Sequence, residues 1–458
     1  MVISALARGG SERQLLATTT GLVERGYAIE IFTMAEVPAG EPSFKAEFAA
    51  LGIRVTCAAD LIDTSPAAGP PAADAFGLAP FAGVLDHLNV VSLGAALART
   101  IRRFRPHVVH CWSDLSCLVG GHVAVRARVR RIVLQFVSVT PLQQELRGAE
   151  LYRKAFRKLL PRRKVVMLNI SEANARAFEH WIGAPRDSVR LLRNGLLPGT
   201  VEVRPREATR RYREMLGIPA TAPVVGTVMR FADEKDPGLW LETAARVAAG
   251  RPQTHFVMAG YGALRERIAA RIAALGLADR FVLPGPVSDV GAVHAALDVF
   301  LMTSRFEGTP NALVEAQAAG VAVVAPAVGG VAETVADEIT GVVVPTRTAE
   351  HLAQAVVRIL DNSAFRHRAA SAGPQFVAER FSWQVKIDRT ISYYELLPRR
   401  GFAAWRSRLR DLVKLALARG CHADPAKSPA STVQTASCAV AGAADGVNAA
   451  NDCGGSGS

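Results

Sequence analysis

Aromatic residues make up only 6% of this 458-residue chain. No basic stretch carries interleaved stacking side chains, which argues against a single-stranded nucleic-acid surface. Half of the residues are hydrophobic, yet no uninterrupted apolar run reaches the roughly 18 residues that a membrane span needs. Residues 1–8 lack the basic-then-apolar layout of a secretory leader. The six cysteines (Cys57, Cys111, Cys117, Cys421, Cys438 and Cys453) have neither metal-ligand spacing nor the layout of a disulfide framework. A cytoplasmic protein is the expectation. No Asp-x-Asp pair occurs, which disfavours a diphosphate gripped through a divalent ion, so no metal and no cofactor are expected. Acidic residues are also in deficit, 41 against 54 basic ones, for a net charge of +13. Polyanionic ligands or an anionic lipid surface account for that balance without invoking nucleic acid.

What is present is a rhythm. Short apolar runs at residues 2–6, 27–33, 53–58, 107–111, 131–137, 164–170 and 189–192 alternate with helical stretches. The pattern resumes at 224–229, 255–259, 281–283, 299–302, 321–325 and 341–344. Such alternation predicts an α/β protein with open parallel sheets covered on both faces. One sheet of this width would be unusual, so two doubly wound domains are expected. Residues 197–223, with charges and prolines, read as the linker, and residues 60–80 as a long loop. A basic helix is expected over 143–160, and residues 420–458 are too poor in apolar side chains to order themselves.

The stretch Ser304 to Glu315 carries the most chemistry. It reads strand, loop, helix, with Thr309 as the capping residue and Pro310 at the first helical position. The free amides at Asn311 and Ala312, with the helix dipole, suit a phosphate. Glu307 in the loop and Glu315 in the second turn suit hydroxyl groups. In open parallel sheets, ligands lie beyond the carboxyl ends of strands. The strand ends here present Arg230 and Lys235, then Gly260-Tyr261-Gly262, then Pro286-Val287, then Glu307 to Glu315, then Gly329-Gly330. Each alone is a surface charge or a turn; together, two cations, a helix start and two carboxylates fit a nucleotide sugar.

At these residues the chain resembles the retaining family-four glycosyltransferases with the GT-B fold. The resemblance rests on the E-x7-E pattern of Glu307 and Glu315, the Arg230 and Lys235 pair, and Val328-Gly329-Gly330 followed by Thr340 to Pro345. Gly9-Gly10-Ser11-Glu12-Arg13 looks like the family's glycine-rich loop, with weaker matches at Asn169-Ile170-Ser171 and Leu192-Arg193-Asn194-Gly195. It implies two doubly wound Rossmann-like domains whose parallel sheets face a central cleft. The first would be an acceptor domain over 1–198 and the second a donor domain over 199–380. Residues 381–398 would form a helix returning to the first domain. In catalytic roles, Arg230 and Lys235 would neutralise the donor diphosphate, and Glu307 would hold the transferred sugar or steady its transition state. In donor-binding roles, Glu315 would hold ribose hydroxyls, Pro286-Val287 would lie along the base, and Thr309 would open the helix. The amides of Asn311, Ala312 and Leu313 would meet the distal phosphate, and Gly9-Gly10 would let the first domain's backbone approach. His110 would end a strand facing the cleft as a further catalytic candidate.

The resemblance implies transfer from a nucleotide-diphosphate sugar to a saccharide or polyprenyl-linked acceptor, in bacterial surface polysaccharide or glycolipid synthesis. A sugar-nucleotide epimerase could use the same architecture, and a non-catalytic nucleotide-binding scaffold is the third reading. Basic residues cluster at 153–164 and again at 399–419, where Phe402, Trp405, Leu409 and Leu412 fall at helical spacing. A helix of that kind suits the inner face of an anionic membrane.

Overall fold

A computed structural model describes residues 1–62, 75–81, 90–146 and 148–395. The expected basic helix at 399–419, the tail at 420–458 and part of the 60–80 loop lie outside the described residues.

Every apolar run read as a strand is one. In the first half these are β1 (Val2–Ile3), β2 (Glu30–Thr33), β3 (Arg54–Cys57), β4 (Val108–Trp112), β5 (Arg131–Phe136), β6 (Val165–Asn169) and β7 (Val189–Leu191). The helices between them are α1 (Gly10–Val23), α2 (Lys45–Ala50), α3 (Val90–Phe104), α4 (Asp114–Arg126), α5 (Ala149–Leu159) and α6 (Glu172–Ile182). After α7 (Arg206–Met215) the second half runs β8 (Val224–Arg230), α8 (Pro237–Gly250), β9 (His255–Tyr261), α9 (Arg265–Ala274) and β10 (Phe281–Gly285). It continues through α10 (Val290–Ala295), β11 (Val299–Leu301), α11 (Asn311–Ala318), β12 (Ala322–Pro326) and β13 (Gly341–Val344). Three helices close the described chain: α12 (Ala349–Asp361), α13 (Ser363–Arg380) and α14 (Trp383–Tyr394).

The strands form two sheets, seven strands in the order β3-β2-β1-β4-β5-β6-β7 and six in the order β10-β9-β8-β11-β12-β13. All pairings within them are parallel. Because helices cover both faces, central strands are apolar throughout; every residue of β12, Ala-Val-Val-Ala-Pro, is buried. In the second domain one face packs Trp240, Phe256, Leu301 and Val356, and the other packs Val257, Phe300, Leu313 and Val323. The order of each sheet reverses once, between β1 and β4 in the first and between β8 and β11 in the second. A reversal splays the flanking loops apart and leaves a crevice at the strand ends.

The chain crosses between the domains twice, and the crossings lie side by side: Leu196 N–H donates to Phe381 O at 2.9 Å. Beyond that point α14 lies on the first domain, where Trp383 Nε1 donates to Ala17 O at 2.7 Å and Tyr393 Oη to Leu191 O at 3.1 Å.

Two boundaries differ from expectation. The linker read at 197–223 contains α7, whose one buried side chain is Arg213 and whose Tyr212 packs half-buried on the second-domain core. Arg213 donates to the carbonyls of Ala296, Ala220 and Ala222 and to Asp298 Oδ2. A helix whose buried side chain is a guanidinium, with only Ala208, Tyr212 and Met215 at apolar spacing among charges, leaves a weak periodicity to read. The basic helix expected from 143 begins at Ala149, because the chain first turns through 141–145, where Glu145 has a φ of +55°.

Candidate donor-sugar site in the interdomain cleft

The two sheet reversals face one another across a cleft of about 780 Å³. Gly9, Gly10, Arg230, Lys235, Pro286, Val287, Glu307 and Glu315 all line it.

On the second domain, β8 ends at Arg230 and the following turn, Asp233–Lys235, carries Lys235. Asp236 then caps α8, its carboxylate accepting from Leu239 N, with Pro237 at the first helical position. This cap aims the turn back at the loop after β11. Lys235 Nζ donates to Glu307 Oε1 at 2.6 Å, and Ser304 Oγ reaches the same oxygen at 2.7 Å. Glu307 is 9% exposed. Its carbonyl accepts from Asn174 Nδ2 of α6, in the first domain, at 3.0 Å. Arg230 pairs with Glu234.

The start of α11 differs from the expected cap. Pro310, not Thr309, holds the N-cap position, with no side-chain cap. Thr309 Oγ1 instead donates to Ile170 O of the first domain at 2.8 Å. Leu313 is likewise removed from the expected amide set: it is fully buried and its N–H donates to Pro310 O at 3.1 Å. Among the described residues, none supplies an acceptor to the amides of Asn311 and Ala312. These two are the unpaired donors at the start of the helix, a geometry that suits an anion.

Glu315 is tied up by partners that sequence reasoning did not find. Arg13 Nη1, from α1 of the first domain, meets its Oε1 at 2.5 Å. His294 Nε2 stands 3.7 Å from Oε2. Burial raises the Glu315 carboxyl, but Arg13 and His294 outweigh it and hold it below the usual carboxylate range. Arg13 had one readable signal, its place in the first turn after the glycine pair; His294 had none.

A hydrogen-bonded ring joins the glycine loop, the crossing and α11. Asn311 Nδ2 donates to Gly10 O at 3.0 Å, and its Oδ1 accepts from Gln14 Nε2 and Asn194 Nδ2. Gln14 Oε1 accepts from Gly195 N and from Lys386 Nζ, the latter at 2.6 Å. Asn311 thus spends its side chain on the first domain and offers only its amide to a ligand. Burial pushes the Lys386 ammonium down to about 7.

His110 does not face the cleft. β4 runs on to Trp112, and the His110 ring is buried between Trp112, stacked at 5.0 Å, and Tyr394 of α14. Nδ1 bonds Tyr394 Oη at 2.8 Å and Nε2 bonds Gln135 Oε1 at 2.9 Å. Burial lowers its pKa to about 3. Between about 3 and the ordinary histidine value near 6.5 the unfolded chain binds a proton here that the folded chain does not. Stability therefore falls on acidification through that window, by ~1.4 kcal/mol per pH unit from this residue. Urea unfolding of wild type and His110→Gln between pH 4 and 6 checks this: the variant should show a shallower slope, and equal slopes refute it.

Among the described residues, no group of three or more His, Cys, Asp or Glu is arranged to hold a metal ion. Nor is any helix among them long and apolar enough to cross a membrane.

Residues 208–376 match the family model described as glycosyl transferases group 1, and residues 8–196 the model described as glycosyltransferase family 4. The Vi polysaccharide biosynthesis protein VipC/TviE of Salmonella typhi is 27% identical over 292 residues, 63% of this chain and 50% of that protein. The chain thus spans half the length of that relative. A 2-deoxystreptamine glucosyltransferase of Streptomyces kanamyceticus is 30% identical over 322 residues, 67% of this chain and 83% of that protein. Among solved structures, Anabaena Alr3699/HepE in complex with UDP and glucose superposes with a TM-score of 0.69 at 19% identity, covering 86% of this chain and 99% of that one. Two parallel sheets with facing reversals are the GT-B arrangement, and the chain belongs to the group 1 glycosyltransferases.

Proposed function

We propose that this protein transfers a sugar from a nucleotide-diphosphate sugar to a saccharide or lipid-linked acceptor, with retention of configuration and without a metal. The observation that carries this reading is the Lys235–Glu307 pair, set beside Arg230 and the free amides of α11 at one cleft wall. Breaking the glycosidic bond to phosphate builds negative charge on the departing diphosphate and positive charge on the sugar. Fixed cations and amides aimed at the first lower the barrier because they need no reorganisation. Glu307, held by Lys235 and Ser304, would face the second. Glu315 would take the ribose hydroxyls, which requires Arg13 to yield. Attack from the face that the diphosphate leaves retains configuration and lets that phosphate accept the acceptor's proton.

A role in bacterial surface polysaccharide or glycolipid synthesis fits the Salmonella relative's name. An anionic membrane surface as partner fits α5, which exposes Lys154, Arg157 and Lys158, with Arg162 and Arg163 just beyond it. The test is incubation with a panel of nucleotide sugars and saccharide or polyprenyl-diphosphate acceptors, followed by mass spectrometry and NMR of the new linkage. An α-linked product from an α-linked donor supports the reading. Isomerised sugar nucleotide formed without acceptor identifies an epimerase instead, and an inverted linkage overturns the retaining mechanism.

A further inference from the structure

Among the described residues, four glutamates line the cleft: Glu12, Glu234, Glu307 and Glu315. Three of them hold a cation. Glu234 has Arg230, Glu307 has Lys235, and Glu315 has Arg13. Among the described residues, Glu12 forms no ion pair, and its neighbouring cation on the loop before α1, Arg8, is committed to Glu47.

The placement of Glu12 is unusual for an unpaired carboxylate. It sits in the first turn of α1, whose N-cap, Gly9, offers no side chain. The Glu12 side chain folds back over that glycine, so closely that a Cβ on residue 9 would stand 2.3 Å from its Oε2. Glu12 thereby covers the glycine-rich backbone on its cleft side, opposite Arg230. Resting on the donor-site reading above, this is the place where the first domain meets the diphosphate.

We propose that Glu12 is a donor-contact residue whose protonation governs diphosphate binding. As the neutral acid, its O–H donates to a diphosphate oxygen; as the carboxylate, it repels the same group at contact distance. Burial supports the neutral form, raising the carboxyl to about 7 against the lowering effects of its own backbone amide and of Arg230. Lys386 of α14, which burial also brings to about 7, is itself buried and bonds Gln14 rather than Glu12. The other charged or titratable groups around Glu12 are paired or hydrogen-bonded. On its own domain Arg8 and Arg13 are paired as above. Across the cleft Arg230, Glu234 and Lys235 are paired, and Tyr261 Oη donates to Arg8 O at 3.1 Å. Arg230, whose charge reaches Glu12, already pairs with Glu234 and would face the diphosphate once it binds, and the diphosphate's own charge raises the Glu12 carboxyl further.

The test is direct binding of UDP-glucose, UDP-N-acetylglucosamine and GDP-mannose to the full chain between pH 6 and 8.5, by calorimetry. Their diphosphates, esterified at both ends, do not titrate in this range. Wild type should lose affinity above about pH 7, approaching tenfold per pH unit. At pH 8 it should take up close to one proton per donor bound, read from the dependence of the heat on buffer ionisation. In E12Q, whose amide donates at every pH, the affinity should not vary and no proton should be taken up. A wild-type affinity that is flat with pH overturns the proposal whatever the variant does, and so does an E12Q slope equal to that of wild type. Absence of binding to all three donors at every pH overturns the donor-site reading itself, and this proposal with it.

Discussion

Lys235→Ala should lower glycosyl transfer by about 10²–10³-fold, the loss that follows removal of one preorganised donor from a developing anion. The position is poised for that role. Lys235 is held at 2.6 Å from Glu307 by a turn whose geometry is set by the Asp236 cap on α8. The effect should fall mainly on kcat, since the charge it meets appears as the bond to phosphate breaks. A second consequence is structural. Glu307 is 9% exposed and would keep only Ser304 Oγ, a loss of about 1–3 kcal/mol for a buried acceptor deprived of its partner. The melting temperature should drop by several degrees, with unfolding still cooperative. Transfer rates and melting curves of purified K235A check both halves. Activity within threefold of wild type would remove Lys235 from the chemistry.

Gly308→Ala should be nearly as damaging for a different reason. A Cβ at 308 would stand 2.5 Å from Val137 O and 2.5 Å from Ile170 Cδ1, both in the first domain. Backbone cannot yield as a flexible side chain can, so the domains must separate locally. The bonds that cross at this point, Asn174 Nδ2 to Glu307 O and Thr309 Oγ1 to Ile170 O, would lengthen together. Glu307 is the adjacent residue and would move with them. A displacement near 1 Å at a reacting centre costs on the order of 10²-fold in rate. Nucleotide affinity, which the proposed donor site draws largely from the second domain, should change much less than kcat/KM. Gly250→Ala is the control, because a Cβ there meets nothing within 4 Å. Steady-state kinetics on both variants test the claim, and equal activities would show that the domains do not need this contact.

The strands were legible because parallel sheets covered on both faces leave continuous apolar runs; β12 and β5 needed no other signal. The chemistry-bearing positions at strand ends were legible for the same reason, once the strands were placed. α7 was not, since its single buried side chain is an arginine. Thr309 illustrates a different limit. Its spacing before Pro310 suits an N-cap, but a carbonyl 139 residues away in sequence, Ile170 O, takes its hydroxyl. Local sequence places His110 at a strand end, whereas two further residues of β4 and the cover of α14 place it in the interior.

Local pattern alone determined the two-sheet α/β architecture and the nine-residue span from Glu307 to Glu315, because strand burial and helix starts depend on neighbours in sequence. Only the tertiary structure decided which carboxylate meets which cation. Arg13 reaches Glu315 across 302 positions and Lys235 reaches Glu307 across 72. Such pairings depend on two sheets reversing opposite one another, and no local spacing encodes that. Glu12 follows from the same geometry: among the described residues it forms no ion pair, while Arg8 and Arg13 are claimed from distant parts of the fold and Arg230 by its neighbour Glu234.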